Sequence, residues 1–383
     1  MRPDIYGIGL TGKHLTDLER RILADSTPYA VVLFGRNIGT AQELRDLVAE
    51  VKSLAPGRPP LFMIDEEGGR VDRLRQILPG LPSVEAFGEG EQPAEMSRWF
   101  GKVIGMALRW FDIEINLAPV VDIRGATAPK GLERRTFGPD PETVIELAGA
   151  FIDGEHDAGV ATCLKHWPGI GYGSADPHYG ATVIDVPVTR LLEHDLVPFQ
   201  KLGNRAGAIM IGHGTYPQID EPDLPATLSW RMTYDLLRNF TAFDGIAISD
   251  DMEMHAVSDL GSYEEISEIA LMAGNDCILF CSHIERIPDL QTFLARRVMH
   301  DEKVKARFYE ALKRCDDYRA HCDRLRAAAP APSSWDEVIE ETVRFIEEFD
   351  RTRPDREVVV PEVDRRKGPR NPGKGRTGRE EWT

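Results

Sequence analysis

The chain has 383 residues, of which 42% are hydrophobic, and its formal net charge is −17 at pH 7. This length and composition allow a sizeable buried core in one large domain or two ordinary ones, as expected for a soluble globular protein. The negative charge would repel polyanions, so it argues against a nucleic acid or an anionic membrane as the main partner and favours a small neutral or weakly charged ligand.

The cysteines and the N-terminal sequence bear on the cellular compartment. The chain has five cysteines, an odd number, and they form no CxxC pair: Cys163, Cys277, Cys281, Cys315 and Cys322. We therefore expect buried free thiols and a reducing compartment. The N-terminal stretch MRPDIYGIGLTGKHL has no apolar segment of signal-peptide length, and no run of about 18 apolar residues follows it. These features predict a cytoplasmic location.

Short apolar runs rich in β-branched residues recur along the chain, and each predicts a strand buried on both faces. The runs are residues 5–10, 30–34, 61–64, 115–123, 160–164, 208–211, 246–248 and 277–280. Segments with helical spacing, such as residues 41–54 and 141–159, lie between them. This alternation predicts a single-domain α/β protein with a (β/α)8 TIM-type barrel. A doubly wound open sheet remains an alternative, because periodicity does not detect closure.

The C-terminal part of the chain changes in character. We expect the barrel to occupy residues 1–327, and a linker with one amphipathic helix to occupy 328–352. Ser334 and Glu337 have the spacing of a capping box at the start of that helix. One helical face, expected to pack on the barrel, carries Trp335, Val338, Ile339, Thr342, Val343, Ile346 and Phe349. Residues 353–383 include a basic, glycine-rich stretch, which predicts a disordered tail; docking of the tail to a partner is the functional alternative.

Polar residues follow the apolar runs directly at five places, and a barrel would gather these places on one face. The residues at or after these places are Asp65 and Arg73, then Arg135, then Lys165 and His166, and then Asp250; possible additional residues are His213, Asp251 and the apolar Met252. Charges at the ends of buried strands cost free energy unless they are paired or used, so their repetition predicts a functional site. Read alone, Asp250 could instead cap a helix or form a salt bridge.

The stretch KHWPGIGYGSADPHYG, residues 165–180, combines glycines with two histidines, His166 and His178. A phosphate-binding loop would lead into a helix, but turn residues follow Gly173, which disfavours a nucleotide site. A metal site at His166 and His178 would lack both the HExxH spacing and a carboxylate cage, so we expect no metal and no cofactor. The favoured interpretation is that Asp176 holds one nitrogen of His178, so that the other nitrogen can transfer a proton.

Nine motifs in the same order as in a known family span most of residues 30–280. They are LFGRN (33–37), IDEEGGRVDRL (64–74), NLAPVVDI (116–123), ERRTFG (133–138), KHWPGIGYGSADPH (165–178), IMIGHGTYPQID (209–220), PATLSW (225–230), FDGIAISDDMEM (243–254) and AGNDCIL (273–279). With these motifs the sequence resembles glycoside hydrolase family 3, and within it the single-domain bacterial β-N-acetylhexosaminidases of peptidoglycan recycling.

The resemblance implies a role for each matching residue. Asp250 would be the nucleophile that forms a covalent glycosyl-enzyme, and His178, paired with Asp176, would be the general acid and base. The residues implied to hold the sugar are Asp65, Arg73, Arg135, Lys165 and His166. The implied substrate is a small amino-sugar glycoside, namely terminal N-acetylglucosamine on muropeptides that carry 1,6-anhydro-N-acetylmuramic acid. A monomer is favoured, with no nucleic-acid or membrane partner.

The chain departs from the family pattern within the loop. The family usually has Gly-His-Gly-Asp at positions 169–172, where this chain has Gly-Ile-Gly-Tyr, and Pro177 stands where the family usually has serine. Ile170, Tyr172 and Pro177 motivate one alternative, a sugar-binding protein without catalysis. A phosphorylase that uses phosphate in place of water is a second alternative, because a histidine acid/base would not repel the incoming anion as a carboxylate would.

Overall fold

The computed structural model describes residues 5–125, 129–175 and 182–353. Nine short parallel strands form the central sheet, and two further strands form a small antiparallel pair. The strands are β1 (Tyr6–Gly9), β2 (Ala30–Leu33), β3 (Leu61–Ile64), β4 (Ile115–Asn116), β5 (Ala161–Thr162), β6 (Leu164–Trp167), β7 (Ser174–Ala175), β8 (Thr182–Val183), β9 (Ala208–Ile211), β10 (Ile246–Asp251) and β11 (Cys277–Phe280). β7 and β8 are the antiparallel pair.

The central sheet closes on itself through residues 161–167. β5 pairs with β4, whereas β6, one residue further along the chain, pairs with β9 at the other end of the strand order. Because β5 and β6 act as one continuous strand, the nine strands make a cylinder of eight, all parallel. The structure therefore confirms the (β/α)8 barrel and excludes the open doubly wound sheet.

Five of the eight predicted strands have different bounds in the structure, and the runs at 115–123 and 160–164 differ in the way the strands pair. Regular pairing of the run at 115–123 ends at Asn116, because Pro119 has no N–H to donate to a ladder. The Pro119 carbonyl instead accepts a hydrogen bond from the Lys165 backbone N–H at 3.2 Å, which attaches this segment to the neighbouring strand. The run predicted at 160–164 divides into β5 and β6 and continues to Trp167.

Helices surround the cylinder. They are α1 (Asp17–Asp25), α2 (Ala41–Leu54), α3 (Pro93–Trp110), α4 (Pro141–Asp157), α5 (Val188–Arg190), α6 (Val197–Ala206), α7 (His255–Ser258), α8 (Tyr263–Ala273), α9 (Ile287–His300), α10 (Glu302–Ala328) and α11 (Trp335–Arg351), with π-helical segments at Leu191–Asp195 and Arg231–Phe240. Capping boxes at Thr16, Thr40 and Ser262 begin α1, α2 and α8. The predicted helix at 41–54 is confirmed. The helix predicted at 141–159 ends two residues earlier, before Gly159, whose φ of +82° is left-handed.

The strands and the helices that pack on them bury a largely apolar core, which includes the thiols. All five cysteines are buried and none forms a disulfide, as expected. Every residue of β1, β2, β3, β9 and β11 is buried, as the continuous apolar runs indicated. Among the described residues, no helix is both long and apolar enough to cross a membrane.

The C-terminal helix α11 packs against α3, as predicted. Its N-terminal cap uses two serines: the Ser334 hydroxyl accepts from the Glu337 N–H at 3.1 Å, but the Glu337 carboxylate accepts from the Ser333 N–H at 2.7 Å. The buried face of α11 is rotated from the predicted one. Val343, predicted to be on that face, is 39% exposed, whereas Phe345, which was not predicted, is fully buried against a cluster of aromatic rings. The tail predicted at 353–383 lies, except for Arg353, outside the described residues.

Candidate active site

Side chains from four strands or their following loops meet at the carboxyl end of the barrel. Asp65 directly follows β3, Lys165 and His166 lie on β6, His213 follows β9, and Asp250 lies on β10. In a parallel barrel this end is where loops bring reactive groups together. The structure therefore brings together the predicted residues from four of the five places, and Arg135 joins them through a glutamate.

Lys165 is the cation at the centre of this end. Its ammonium lies 2.6 Å from the Asp65 carboxylate and 2.5 Å from the Glu67 carboxylate, and its side chain is only 2% exposed. Burial alone would lower the pKa of Lys165, but the two carboxylates outweigh it and raise the pKa above its usual value. Lys165 is therefore a fixed positive charge beneath the opening of the site.

Glu67 connects Lys165 to Arg135. The Arg135 guanidinium donates to both Glu67 oxygens, from Nε at 2.7 Å and from a terminal nitrogen at 2.8 Å, and its other terminal nitrogen donates to the Gly131 carbonyl at 2.8 Å. Although burial alone would raise the pKa of Glu67, the two cations hold it well below its usual value. In this structure Arg135 thus contacts protein groups, and its predicted role in sugar binding stays a prediction.

His166 is oriented by a buried aspartate. Its Nδ1 lies 2.8 Å from Asp122 Oδ2, and the other Asp122 oxygen accepts from the Ile170 backbone N–H at 2.8 Å. A carboxylate at Nδ1 favours the tautomer with a proton on that nitrogen, which directs Nε2 away from Asp122. Within the described residues Nε2 makes no hydrogen bond, so it is available to a ligand at this end of the barrel.

Asp250 is the half-buried carboxylate of the site. Burial alone would raise its pKa, but His213, His166, the Asp251 N–H and Lys165 together hold the pKa of Asp250 below its usual value. The Asp251 N–H donates to Asp250 Oδ1 at 2.8 Å, which fixes the rotamer. Asp250 is consequently ionised at neutral pH and held in place, as a nucleophilic carboxylate must be.

His213 supports the strand that carries Asp250. Its Nε2 donates to the Asp251 carbonyl at 2.9 Å, and its Nδ1 lies 2.6 Å from the Thr227 hydroxyl. Burial lowers the pKa of His213, although the nearby Asp250 carboxylate acts in the opposite direction. The contact fixes the backbone immediately after Asp250.

Asp251 differs from its neighbour Asp250 in the direction of its pKa shift. Burial, the adjacent Glu253 and Asp250 raise the pKa of Asp251 to about 6. Its Oδ1 accepts from the backbone N–H groups of Glu253 and Cys281 at 3.1 and 3.2 Å. Met252 is fully buried and donates its N–H to the Leu279 carbonyl. Both of these predicted additional residues therefore hold the strand end together.

Arg73 lies on the loop after β3 and is half-buried. Its Nε is buried and has no hydrogen-bond partner in the part of the chain that the structure describes. A buried guanidinium N–H without an acceptor costs free energy, and a ligand oxygen could supply one. Arg73 therefore suits the sugar-binding role that the sequence predicts.

The predicted proton-transfer residues Asp176 and His178 lie outside the described residues. The segments on both sides are described: β7 and β8 pair antiparallel, Ser174 with Val183 and Ala175 with Thr182. Val183 in turn bridges to Thr215, two residues after His213. The two ends of the loop are thus attached to the same segment that carries His213.

Sequence reasoning missed two charged residues of the site. Glu67 stood in the quoted DEEGG motif, and its signal was a third acid in a run that directly follows a strand. Asp122 stood inside the apolar run VVDI, where a lone carboxylate must have a buried partner. Among residues 5–125, 129–175 and 182–353, no group of three or more His, Cys, Asp or Glu side chains is arranged to bind a metal ion.

Known proteins resemble the chain over most of its length. The glycosyl hydrolase family 3 N-terminal domain matches residues 5–314. A β-hexosaminidase of Pseudomonas aeruginosa (strain LESB58) is 34% identical over 278 residues, which are 72% of this chain and 81% of that protein. The structure is similar to a family 3 β-N-acetylglucosaminidase from Paenibacillus sp. str. FPU-7, with a TM-score of 0.78 and 28% identity over 90% of this chain and 67% of that one.

A β-N-acetylhexosaminidase from Beutenbergia cavernae is a second structural neighbour. It has a TM-score of 0.75 and 27% identity, and the match covers 83% of this chain and 97% of that one. The family domain spans far more than half of the chain, and the cluster at the carboxyl end of the barrel lies inside it. The predicted resemblance is therefore confirmed, and the chain belongs to glycosyl hydrolase family 3.

Proposed function

We propose that the chain is a retaining exo-β-N-acetylglucosaminidase that removes terminal N-acetylglucosamine from muropeptides carrying 1,6-anhydro-N-acetylmuramic acid. The observation that carries this proposal is the ionised, half-buried Asp250 carboxylate among Lys165, His166 and His213 at the carboxyl end of the barrel. Relatives named β-hexosaminidase and β-N-acetylglucosaminidase support the amino-sugar substrate.

In the first step, an Asp250 oxygen attacks the anomeric carbon while the bond from that carbon to the glycosidic oxygen breaks. His178, as imidazolium, gives its proton to the departing oxygen, so the aglycone leaves as a neutral alcohol. Asp176 holds the other nitrogen of His178 and stabilises the imidazolium. The low pKa of Asp250 keeps the nucleophile ionised for this step.

In the second step, neutral His178 takes a proton from water, and the water oxygen displaces Asp250 from the anomeric carbon. Two displacements at the same carbon retain its configuration. The His178 proton lost in the first step is regained in the second, so the enzyme returns to its starting state.

The sugar is held by the groups around Asp250. Asp65, whose position is fixed by Lys165, accepts hydrogen bonds from sugar hydroxyls. Asp122 holds Nδ1 of His166, so Nε2 of that ring is directed to the sugar. The buried Nε–H of Arg73, which has no acceptor among the described residues, donates a hydrogen bond to the sugar. Arg135 acts on Lys165 indirectly, through the Glu67 carboxylate that both cations contact. The family resemblance implies that Arg135 also contacts the acetamido-sugar.

Five buried cysteines that form no disulfide support a reducing compartment, so we place this reaction in the cytoplasm, within peptidoglycan recycling. We propose a monomer that acts on a small glycoside without a nucleic-acid or membrane partner. The net charge of −17 supports the absence of polyanionic partners.

Hydrolysis of a chromogenic N-acetylglucosaminide tests the proposal. The Asp250→Ala variant should lose turnover, while Asp317→Ala, a matched change on the exposed face of α10, should keep it. His178→Ala should slow substrates with poor leaving groups more than those with good ones, because an activated phenolate needs less protonation. Undiminished turnover in Asp250→Ala would remove the nucleophile assignment. Binding of the sugar without any hydrolysis by the unaltered chain would favour the sugar-binding alternative.

A phosphorylase is the second candidate, and the histidine acid/base favours it because a neutral imidazole does not repel phosphate. The two reactions differ only in the acceptor that displaces Asp250. Product analysis with and without inorganic phosphate distinguishes them: free N-acetylglucosamine in both conditions supports hydrolysis, whereas a phosphate-dependent sugar 1-phosphate supports phosphorolysis.

A further inference from the structure

The segments before and after the loop that carries Asp176 and His178 meet at a single aromatic ring. Tyr172 precedes β7, and the Arg190 guanidinium carbon lies 3.8 Å from the centre of its ring. The His194 ring stands at 81° to the Tyr172 ring, with the centroids 6.4 Å apart. Arg190 and His194 lie on the helical segments after β8, so Tyr172 connects the chain on the two sides of the loop.

Tyr172 is also held from a third side. The ring packs against Gly125, where an added Cβ would lie 2.5 Å from ring carbons. The Gly125 N–H donates to the Gly171 carbonyl at 2.9 Å, so the backbone before Tyr172 is attached to the loop that follows β4. The ring is therefore confined between three segments and has little rotational freedom.

Arg190 is fixed by groups behind the ring. One of its terminal nitrogens lies 3.1 Å from His194 Nδ1, and its Nε lies 3.9 Å from Asp195 Oδ2. Asp195 is buried, and a Cβ on Gly169 would lie 3.1 Å from the Asp195 Cβ. The cation over the Tyr172 ring is thus anchored beneath the first turn of the same loop.

We infer that Tyr172, Arg190 and His194 form a clamp that joins the two ends of the loop and positions the acid/base pair for the reaction. The inference rests on the proposed function for the role of Asp176 and His178, but the clamp itself consists of described contacts. Tyr172 stands where the family usually has aspartate. A cation over an aromatic face is a stabilising contact that an aspartate cannot offer to Arg190 in the same form.

Two substitutions at Tyr172 distinguish the effect of the aromatic contact from the effect of side-chain volume. Tyr172→Leu removes the face that Arg190 covers, whereas Tyr172→Phe keeps it. Arg190→Met removes the cation and leaves the ring. Arg45 lies over the Trp110 ring at 4.1 Å, between α2 and α3, so Arg45→Met is the matched control for losing such a contact elsewhere.

The first measurement is amide hydrogen exchange of β7 and β8 in the full chain. Tyr172→Leu and Arg190→Met should each raise the exchange rate there about tenfold, since a partly desolvated contact of this kind is lost. Tyr172→Phe and Arg45→Met should exchange like the unaltered chain. Unchanged exchange in both Tyr172→Leu and Arg190→Met would overturn the clamp, whatever the activity of the chain.

The second measurement is turnover of N-acetylglucosaminides with different leaving groups. Tyr172→Leu should lower kcat about tenfold for poor leaving groups and much less for good ones, because a misplaced acid matters only where protonation limits the rate. Tyr172→Phe should restore kcat. Equal losses on both substrate types would contradict the positioning role. An inactive unaltered chain would remove the proposed function but leave the exchange result as the test of the clamp.

Discussion

Two buried ion clusters lie at opposite ends of the same cylinder. The upper cluster, Asp65, Glu67, Arg135 and Lys165, lies at the carboxyl ends of the strands. The lower cluster consists of Asp276, which immediately precedes β11, with Arg238 and Arg307, each about 2.6–2.7 Å from its carboxylate. Both clusters are buried and paired, so burial and pairing do not distinguish function from folding.

The two clusters differ in whether their polar atoms contact only protein groups or are also exposed at the opening of the barrel. In the lower cluster, the Asp276 oxygens accept from two arginines and from the Ala247 N–H at 2.9 Å, and Arg238 also donates to the Gly245 carbonyl. In the upper cluster, Asp65 retains 17% exposure and lies near the half-buried Asp250. The direction of the strands, more than the number of charges, therefore indicates which cluster serves a reaction.

The largest expected effect is on the lower cluster. Asp276→Ala leaves two arginine side chains, each 6% exposed, without their shared carboxylate. We expect a loss of about 3–5 kcal/mol in the free energy of unfolding, because an unpaired buried charge is costly. Denaturant unfolding measures it. Turnover per folded molecule should stay unchanged. Loss of turnover without loss of stability would show that the lower cluster also serves the reaction.

The upper cluster should respond in the opposite way. Lys165→Met removes the cation that fixes Asp65, and we expect kcat/KM to fall about a hundredfold, because a small misplacement of the groups proposed to bind the sugar is costly in rate. Steady-state kinetics measures this, with Lys313→Met on the exposed face of α10 as the control. If Lys165→Met unfolds more easily but keeps its kcat/KM, the upper cluster serves folding, as the lower cluster does, and not the reaction.

The smallest effect is a pH dependence at Asp251. Its pKa is raised to about 6 in the folded chain, so the folded state binds the proton more tightly than the unfolded state does. This stabilisation is fully present below the unfolded pKa of about 4 and is lost as the pH rises through about 6. Asp251→Asn should therefore gain stability relative to the unaltered chain between these values, by roughly 2 kcal/mol. Unfolding free energies at pH 4 to 8 measure the difference; a constant difference would contradict it.

The sequence could predict the barrel because each strand is a compact apolar run, and β3, β9 and β11 have the expected bounds. It could not predict closure, because the two short strands at 161–167 bond to opposite neighbours across a single residue, Cys163. The rotated face of α11 has a similar cause. Periodicity alone did not select Phe345, whose burial depends on aromatic rings contributed by distant segments.

For the site, the residues at strand ends were predictable because chain direction places them on one face. Asp65, Lys165, His166, His213 and Asp250 were all found in this way. The partners that set their geometry were not, since Glu67 and Asp122 act through contacts between segments distant in sequence. The clamp at Tyr172 was visible only as a departure from the family pattern, and its partners Arg190 and His194 gave no local signal.

The central claim is that Asp250 forms a covalent bond to the sugar. An activated fluorinated N-acetylglucosaminyl fluoride, which forms the glycosyl-enzyme faster than water removes it, tests this most directly by mass spectrometry of the digested chain. The account predicts one added sugar on the peptide that contains Asp250, and none in Asp250→Ala. A sugar attached to another residue, or hydrolysis with inversion and no adduct, would contradict it.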